Sequence, residues 1–368
     1  MKIAVILPTL AGGGMERMRL NMINVWIREG IDIDIVVCRK EGALLKLVPS
    51  GINVYEVAAA SPLLFPFGLW RYIKSQQPSH LLSAGTDINA LTLLTARLFK
   101  IHLPLVVSFH IHLSKEIYHQ HGLKKIKARL IAWLLRMAVG KDTRIVTVSR
   151  GISEDFIRVL NISPDKLQVI YNPIITPDFQ ALSRKPLKDC PAQVRPWIIF
   201  VGRLTPQKDL NTLIDAFQLL LQQMRAELII VGDGPLKDQI MQRISDNGLS
   251  DVIHLTGFIN NPLPYIRAAD ILVLSSLYEG LGNVLVESMA CGTQVIATDC
   301  PSGPAEILDN GRYGQLVPVK DPAALCNAMV DCLQGTYHVS SQELENRAND
   351  FTVERAATLY KNMLLGTN

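Results

Sequence analysis

Two basic residues lie in a short loop that follows a predicted buried strand in the second half of the chain. The strand, residues 197–201, is followed by Arg203 and, five residues later, by Lys208. In a loop before a helix, both cations can converge on the carboxyl end of the strand. Arginine offers a two-pronged donor to phosphate oxygens, and lysine adds a mobile positive charge. The loop therefore fits a phosphate ester, although solvated surface charges would give the same pattern.

Two glutamates, Glu279 and Glu287, follow another predicted strand and are separated by seven residues. The spacing predicts Glu279 in a loop and Glu287 in the second turn of a helix that Asn283 caps and Gly292 ends. A carboxylate accepts hydrogen bonds from two neighbouring hydroxyls, which suits a ribose or a hexose. The glycines between the two glutamates let backbone N–H groups approach a bound sugar. The alternative is a helix-dipole partner at Glu287 and a surface residue at Glu279.

A glycine run near the amino end is a third candidate binding loop. Gly12, Gly13 and Gly14 follow the predicted strand 2–7 and open a helix, so their N–H groups can hold a phosphate or a sugar. A tight turn that requires glycine is the alternative. The dinucleotide fingerprint would place its third glycine where Arg17 stands, which disfavours a dehydrogenase.

The elements that must position these loops alternate between short apolar runs and amphipathic stretches. This rhythm is typical of an α/β fold with mostly parallel sheets. It stops between residues 172 and 196 and then restarts, which predicts two doubly wound domains with a cleft between them. Ligands in such sheets bind beyond the carboxyl ends of the strands. The predicted strands are residues 2–7, 31–37, 81–83, 105–109, 145–148, 197–201, 228–231, 252–255, 271–274 and 295–297.

Length and composition exclude several classes of protein. The chain has 368 residues, which is too long for one ordinary domain, and 48% of them are hydrophobic, which excludes intrinsic disorder. No apolar run reaches the roughly 18–20 residues that span a bilayer. The first apolar run is expected to be a strand, not a signal peptide. The six cysteines are scattered without a CxxC pair, which disfavours a zinc site or disulfides and fits a reducing cytoplasm.

Positive charge is concentrated in residues 115–150, which hold nine basic and two acidic residues. Apolar residues recur there at helical spacing: Ile126, Leu130, Trp133, Leu134 and Met137. A basic helix with an apolar stripe can lie on an anionic membrane surface. An amphipathic helix that packs its stripe on a sheet is the alternative. Residues 63–70 form a second apolar, aromatic segment, and the absence of interleaved stacking aromatics makes nucleic acid the weaker partner.

Taken together, these motifs resemble glycosyltransferase family 4, the retaining transferases of GT-B fold, over nearly the whole chain. The resemblance is strongest at residues 201–208, 228–235 and 278–306, where the two glutamates match the family's EX7E motif. Residues 13–17 are similar to the family's GGAER stretch, with Met15 in place of alanine. Leu281 stands where phenylalanine is common in the family.

The resemblance implies an α/β GT-B fold of two doubly wound, Rossmann-like domains facing a central cleft. It assigns residues 1–172 to an N-terminal acceptor-binding domain, completed by a last helix at about residues 351–368. Residues 173–350 then form the C-terminal domain that binds the nucleotide sugar.

The resemblance also implies roles for single residues. Arg203 and Lys208 would hold the donor diphosphate, and Glu287 would bind the ribose hydroxyls. The donor sugar would be bound by Glu279, Gly280, Leu281 and Gly282. His110, at the end of a predicted strand, resembles the family's active-site histidine, and His112 is the competing choice.

The implied chemistry is transfer with retention of anomeric configuration. Fixed cations at the diphosphate stabilise the charge that develops on the leaving group. No covalent nucleophile is evident, so we expect same-face attack, with a diphosphate oxygen taking the acceptor's proton. Asp32 and Asp34 form a DxD string, but they alternate with isoleucines in a predicted strand, so we expect no metal requirement and no cofactor.

The resemblance implies a nucleotide-sugar donor, with UDP as the commonest choice, and a hexose or N-acetylhexosamine as the transferred sugar. With the basic helix, it predicts a lipid-linked, lipopolysaccharide or polysaccharide acceptor and a peripheral position on the cytoplasmic face of the membrane. A GT-B nucleotide-sugar epimerase or hydrolase and a noncatalytic sugar-nucleotide binding protein are the alternatives.

Overall fold

The computed structural model describes residues 1–11, 13–58, 61, 64–118, 122–140, 143–187 and 196–367. The chain divides into two compact units. Unit 1 comprises Met1–Pro173 and Val353–Asn368, and unit 2 comprises Ile174–Thr352. No helix in the described ranges has both the length and the hydropathy needed to cross a membrane.

Unit 1 is built on a seven-stranded sheet in the order β3-β2-β1-β4-β5-β6-β7, in which every neighbouring pair is parallel. The strands are β1 (Lys2–Leu7), β2 (Asp32–Val37), β3 (Asn53–Glu56), β4 (His80–Ala84), β5 (Leu105–Phe109), β6 (Thr143–Thr147) and β7 (Leu167–Val169). The helices are α1 (Gly14–Arg28), α2 (Phe65–Gln76), α3 (Thr86–Leu98), α4 (Leu113–Tyr118), α5 (Leu123–Ala138), α6 (Arg150–Leu160) and, from the end of the chain, α15 (Val353–Leu365).

Helix α15 lies on α1 and shares the core of unit 1. The indole of Trp26 in α1 donates to the carbonyl of Ala357 at 3.0 Å, and Lys361 pairs with Glu29 at 2.6 Å. Strand β1 is apolar on both faces because helices cover both sides of a parallel sheet.

Unit 2 is built on a six-stranded parallel sheet in the order β10-β9-β8-β11-β12-β13. The strands are β8 (Trp197–Val201), β9 (Glu227–Val231), β10 (Ile253–Gly257), β11 (Ile271–Leu274), β12 (Gln294–Thr298) and β13 (Gln315–Val317). The helices are α7 (Phe179–Ser183), α8 (Leu210–Leu221), α9 (Lys237–Asp246), α10 (Leu263–Ala268), α11 (Asn283–Ala290), α12 (Pro304–Ile307), α13 (Pro322–Gln334) and α14 (Ser341–Ala348).

Both sheets reverse their strand order beside their first strand, between β1 and β4 in unit 1 and between β8 and β11 in unit 2. Ligands of doubly wound sheets bind outside the carboxyl ends of the strands at this switch point. The loops with the predicted cations and glutamates follow β8 and β11, so each lies at the switch point of unit 2. The predicted doubly wound α/β architecture is confirmed.

One local prediction, the N-cap of α11, is wrong, and one of the two alternatives for the apolar stripe of α5 is excluded. Helix α11 begins at Asn283, and its N-cap is Gly282 with φ +94°, a backbone conformation that glycine adopts most easily. The apolar stripe of α5 does not pack on the sheet, because Ile126, Leu130, Trp133 and Met137 are each about half exposed or more. The opposite face of α5 is buried instead, through Ala128, Ala132, Leu135 and Ala138.

Candidate active site

In unit 2, the loops after β8 and β11 are held together by hydrogen bonds. The amide of Leu277 donates to the carbonyl of Gln207 at 2.8 Å, and the Gln207 side chain donates to the carbonyl of Tyr278 at 2.8 Å. The hydroxyl of Ser275 donates to the carbonyl of Lys208, also at 2.8 Å. The loop predicted to hold a phosphate and the loop predicted to hold a sugar therefore form one hydrogen-bonded rim.

Lys208 and Glu279 form an ion pair across this rim. The Lys208 ammonium contacts the Glu279 carboxylate, and their side chains are only 16% and 8% exposed. The hydroxyl of Ser276 donates to the same carboxylate oxygen at 2.6 Å. The structure thus brings together two residues that the sequence assigned separately to a diphosphate and to its sugar.

Arg203 and Glu287 are placed differently. Arg203 is exposed, and in the described part of the chain it makes no ion pair. Glu287 lies in the second turn of α11, as predicted, and it also has no ion-pair partner among the described residues. Burial raises the pKa of the Glu287 carboxyl to about 7. A desolvated carboxyl group of this kind gains most from hydroxyls that satisfy its oxygens.

Glycines allow the backbone of unit 2 to approach itself closely at this edge. A Cβ on Gly232, at φ +149°, would lie 1.9 Å from the carbonyl oxygen of Gly202. A Cβ on Gly303, at φ +90°, would lie 1.9 Å from the carbonyl oxygen of Leu281. The loop after β9 therefore packs on the loop after β8, and the loop after β12 packs on the segment before α11.

In unit 1, His110 directly follows β5 and contacts a buried arginine. The Nη2 of Arg19 lies 3.4 Å from the His110 Nε2 and donates to the Ser108 hydroxyl at 2.6 Å. Burial and, secondly, the charge of Arg19 lower the pKa of His110 to about 3, while the Asn172 side chain acts in the opposite sense. His110 is therefore neutral at physiological pH.

His112 has another environment. It is 8% exposed, and its Nδ1 lies 3.8 Å from the carboxylate of Asp155. Asp155 also accepts hydrogen bonds from the amide of Ser114 and from Arg158, both at 2.9 Å. His112 thus belongs to a buried acidic contact at the start of α4, whereas His110 lies beside a cation. The assignment of His110 to the active site stays a prediction.

The glycine run at the start of α1 is partly described. Gly12 lies outside the described residues, whereas Gly13 caps α1 and Gly14 begins it, both exposed. A Cβ on Gly13 would lie 2.2 Å from the carboxylate of Glu16. Because this carboxylate repels anions and accepts from hydroxyls, the loop suits a sugar hydroxyl better than a phosphate.

The DxD string is part of the sheet of unit 1. Asp34 is buried in β2, and its carboxylate binds the Lys2 ammonium at 2.9 Å and the Tyr72 hydroxyl at 2.7 Å. Among the residues that the structure describes, no cluster of three or more acidic, histidine or cysteine side chains has a metal-binding arrangement.

Sequence reasoning missed the contacts that Ser276, Asn172 and Arg19 make. Arg19 carried a usable signal, because it stands at helical spacing with the core residues Met22 and Trp26, where an apolar side chain is expected. Ser276 and Asn172 carried no such signal, because a polar residue in a loop is usually explained by exposure to solvent.

Comparison with known proteins extends these observations. The model of Glycosyltransferase Family 4 matches residues 12–176, and that of Glycosyl transferases group 1 matches residues 195–335. An Escherichia coli UDP-Gal:alpha-D-GlcNAc-diphosphoundecaprenol alpha-1,3-galactosyltransferase is 22% identical over 98% of this chain and 95% of its own length.

A second relative is the Campylobacter jejuni N-acetylgalactosamine-N,N'-diacetylbacillosaminyl-diphospho-undecaprenol 4-alpha-N-acetylgalactosaminyltransferase. It is 32% identical over 55% of this chain, and the match spans only 54% of that protein. The structure of the lipopolysaccharide outer core galactosyltransferase WaaB has a TM-score of 0.79 at 20% identity, with both chains covered completely.

The two family matches fall on both units, and the fold is shared with GT-B glycosyltransferases. The chain belongs to the family 4 glycosyltransferases. The predicted family, GT-B fold and enzyme class are confirmed.

Proposed function

We propose that this chain transfers a hexose or N-acetylhexosamine, with retention, from a UDP-sugar to a lipid-linked, lipopolysaccharide or polysaccharide acceptor. The observation that carries the proposal is the Lys208–Glu279 ion pair at the switch point of unit 2. A cation for a diphosphate and a carboxylate for sugar hydroxyls stand there in contact, at the edge of the sheet where ligands bind.

The donor proposal assigns each group one task. Lys208 and Arg203 bind the diphosphate, Glu279 and residues 280–282 bind the sugar, and Glu287 binds the ribose. The leaving diphosphate gains charge as the glycosidic bond breaks, so a fixed cation stabilises the transition state more than the bound donor. In unit 1, we assign His110 to the reaction as a neutral imidazole.

UDP is the proposed carrier because the Escherichia coli relative is named for UDP-galactose. Thermal-shift measurements with UDP-, GDP- and ADP-sugars test this choice, since a ligand selective for the native state raises Tm. We expect UDP compounds to raise Tm and the others to have little effect. If only GDP- or ADP-sugars raised Tm, the nucleotide of the donor would carry guanine or adenine and not uracil.

Product analysis separates the transferase from its alternatives. An epimerase or hydrolase changes the donor without an acceptor, and a binding protein leaves it unchanged. We expect release of UDP only when an acceptor such as a polyprenyl-diphosphate sugar is present. NMR of the new linkage should show the anomeric configuration of the donor, and an inverted product would refute retention.

We also propose that transfer needs no metal ion. The supporting observation is that Asp34 of the DxD string is already bound by Lys2 and Tyr72 inside the sheet. Activity should persist in EDTA. Loss of activity that Mn²⁺ restores would contradict this part of the proposal.

The acceptor proposal rests on the two relatives, both named for undecaprenol-diphosphate substrates, and on the exposed face of α5. That face carries Ile126, Leu130, Trp133 and Met137, with Lys127, Arg129 and Arg136 also exposed on the helix. Apolar side chains that enter the headgroup region and cations that attract anionic lipid favour peripheral binding to a membrane. We propose the cytoplasmic face of the membrane, which is supported by the five cysteines in the described part of the chain, all of them free thiols.

Vesicle sedimentation tests the membrane surface. The double variant Leu130→Gln/Trp133→Gln should bind phosphatidylglycerol vesicles at least about tenfold more weakly, because it removes two exposed apolar side chains that would enter the headgroup region. Met241→Gln is the matched control, since Met241 is 51% exposed in unit 2. Binding should need anionic lipid and weaken with salt. Vesicle binding that depended neither on lipid charge nor on salt would contradict the proposed membrane surface.

A further inference from the structure

Arg19 is a buried cation that makes no ion pair with a carboxylate in the described part of the chain. It is 2% exposed, and its guanidinium donates to the Ser108 hydroxyl at 2.6 Å and to the Tyr360 hydroxyl at 2.8 Å. It also contacts the Met22 sulfur at 3.2 Å and the face of the Tyr360 ring, 4.4 Å from the guanidinium carbon. Burying a charge among neutral groups alone costs free energy of folding, which indicates that the position of Arg19 serves more than packing.

The place of Arg19 is the end of β5, beside the imidazole of His110. The hydroxyls of Ser108 in β5 and Tyr360 in α15 fix the guanidinium from two sides, and its Nη2 then lies 3.4 Å from the His110 Nε2. A guanidinium has donors and no acceptor. Both hydrogens of Nη2 are donated to the Ser108 and Tyr360 hydroxyls, so Nε2 faces the positive charge of the guanidinium, which favours a lone pair on Nε2 and a proton on Nδ1.

We propose that Arg19 is a positioning residue that holds His110 as the neutral imidazole with its proton on Nδ1. The inference rests on the proposed role of His110 in the reaction. A ring held in one tautomer presents the same donor and the same acceptor in every catalytic cycle, which removes the cost of selecting them during the reaction.

The charges around His110 agree with this role. From α1 it is faced by the cation of Arg19, from β5 by the neutral Ser108, and from the segment after β7 by the neutral amide of Asn172. No carboxylate in the described part of the chain offsets Arg19 at this ring. A second positive charge on the imidazole is therefore disfavoured both by burial and by the guanidinium.

A purely structural role for Arg19, as a link between α1, β5 and α15, predicts something different. In that case its loss lowers stability and leaves the tautomer and titration of His110 unchanged. Tyr360→Phe is the matched control, because it removes one hydrogen bond from the guanidinium and keeps the charge beside His110. We expect Tyr360→Phe to lower Tm without changing the tautomer of His110 or bringing its titration into the range of pH 5 to 8.

Nitrogen-15 NMR of the histidine side chains is the test, with His110 assigned by its loss in His110→Gln. In the wild type we expect a single Nδ1–H tautomer that does not titrate between pH 5 and 8. In Arg19→Met we expect a mixture of tautomers and a titration inside that range. The kcat of Arg19→Met should fall about tenfold and gain an acidic limb in its pH profile, with the donor KM unchanged.

Two results would overturn the inference. One is an Nε2–H tautomer, or a titration above pH 5, in the wild-type protein, a measurement that needs no variant. The other is an Arg19→Met protein that retains the single wild-type tautomer. If Arg19→Met fails to fold, Arg19→Gln replaces it, because it removes the charge and keeps a donor, and an unchanged titration would then count against the inference. Full activity of His110→Gln would refute the proposed role of His110 without affecting the tautomer result.

Discussion

At the scale of single residues, the central feature is that Lys208 and Glu279 neutralise each other in an ion pair with little exposure to solvent. Spacing predicted that both would lie at one edge of the sheet, because loops after neighbouring parallel strands meet there. The direct contact was not predictable, since it depends on Ser276 and on the hydrogen bonds between the two loops. The environment of Arg19 was also missed, because a single arginine among apolar residues indicates burial but not its partners.

Lys208→Ala and Arg203→Ala should each lower kcat at saturating donor, by about 10²–10³ if the lost cation acts in the transition state. The effect should be larger for Lys208, whose side chain is held in the rim, than for the exposed Arg203. Steady-state kinetics with the control Arg225→Ala, an exposed arginine before β9, measure this. An unchanged kcat with a raised KM would reduce the role to donor binding.

Glu287 should make stability depend on pH. Burial raises its pKa from 4.5 to about 7, so the folded protein keeps a proton that the unfolded chain releases between these values. The free energy of unfolding therefore decreases as pH rises from about 4.5 to 7. Glu287→Gln removes this cost, so its Tm should exceed that of the wild type at pH 8 and match it near pH 4.5.

The same substitution should weaken UDP binding, because the amide loses one acceptor for the ribose hydroxyls. Glu154→Gln, an exposed glutamate in α6, is the control for a general effect of removing negative charge. An equal gain in Tm at both pH values would show that Glu287 is not the titrating group.

At the scale of elements, apolar runs predicted the interior strands well, and four of them (β1, β5, β8 and β11) have the predicted bounds. The strands that were missed are β3, β7 and β13, which are three or four residues long and partly exposed. A short strand at a sheet edge needs no continuous apolar run, so the sequence carries no clear signal for it. The apolar pattern of α5 left open which face is buried, because three alanines and Leu135 pack inward while the other large apolar residues lie outside.

Gly303→Ala should disrupt the contact between the loop after β12 and the segment before α11. The new methyl group would collide with the Leu281 carbonyl, and alanine disfavours φ +90°. We expect a fall in Tm and loss of donor binding, measured by thermal shift with and without UDP. Gly335→Ala is the matched control, since Gly335 also has positive φ but open space around its Cα. Equal effects of the two variants would mean that backbone strain, and not the collision, is responsible.

At the scale of the whole molecule, unit 2 begins and ends at neighbouring points. The amides of Ile174 and Ile175 both donate to the carbonyl of Phe351, at 2.9 and 3.0 Å. A domain whose ends meet can be excised with little cost. We expect residues 174–352 alone to unfold cooperatively and to bind UDP, which circular dichroism and calorimetry would measure. Failure to bind would show that the site in unit 2 is incomplete.

Unit 1 has the opposite property, because α15 closes its core after all of unit 2 has been synthesised. Until that helix leaves the ribosome, the Trp26 indole and the Arg19 guanidinium lack the groups of Ala357 and Tyr360 that bind them. Unit 1 therefore cannot complete its core while unit 2 is translated and folds. We therefore expect chaperones to bind ribosome-bound chains that stall before Val353 more strongly than chains that include α15.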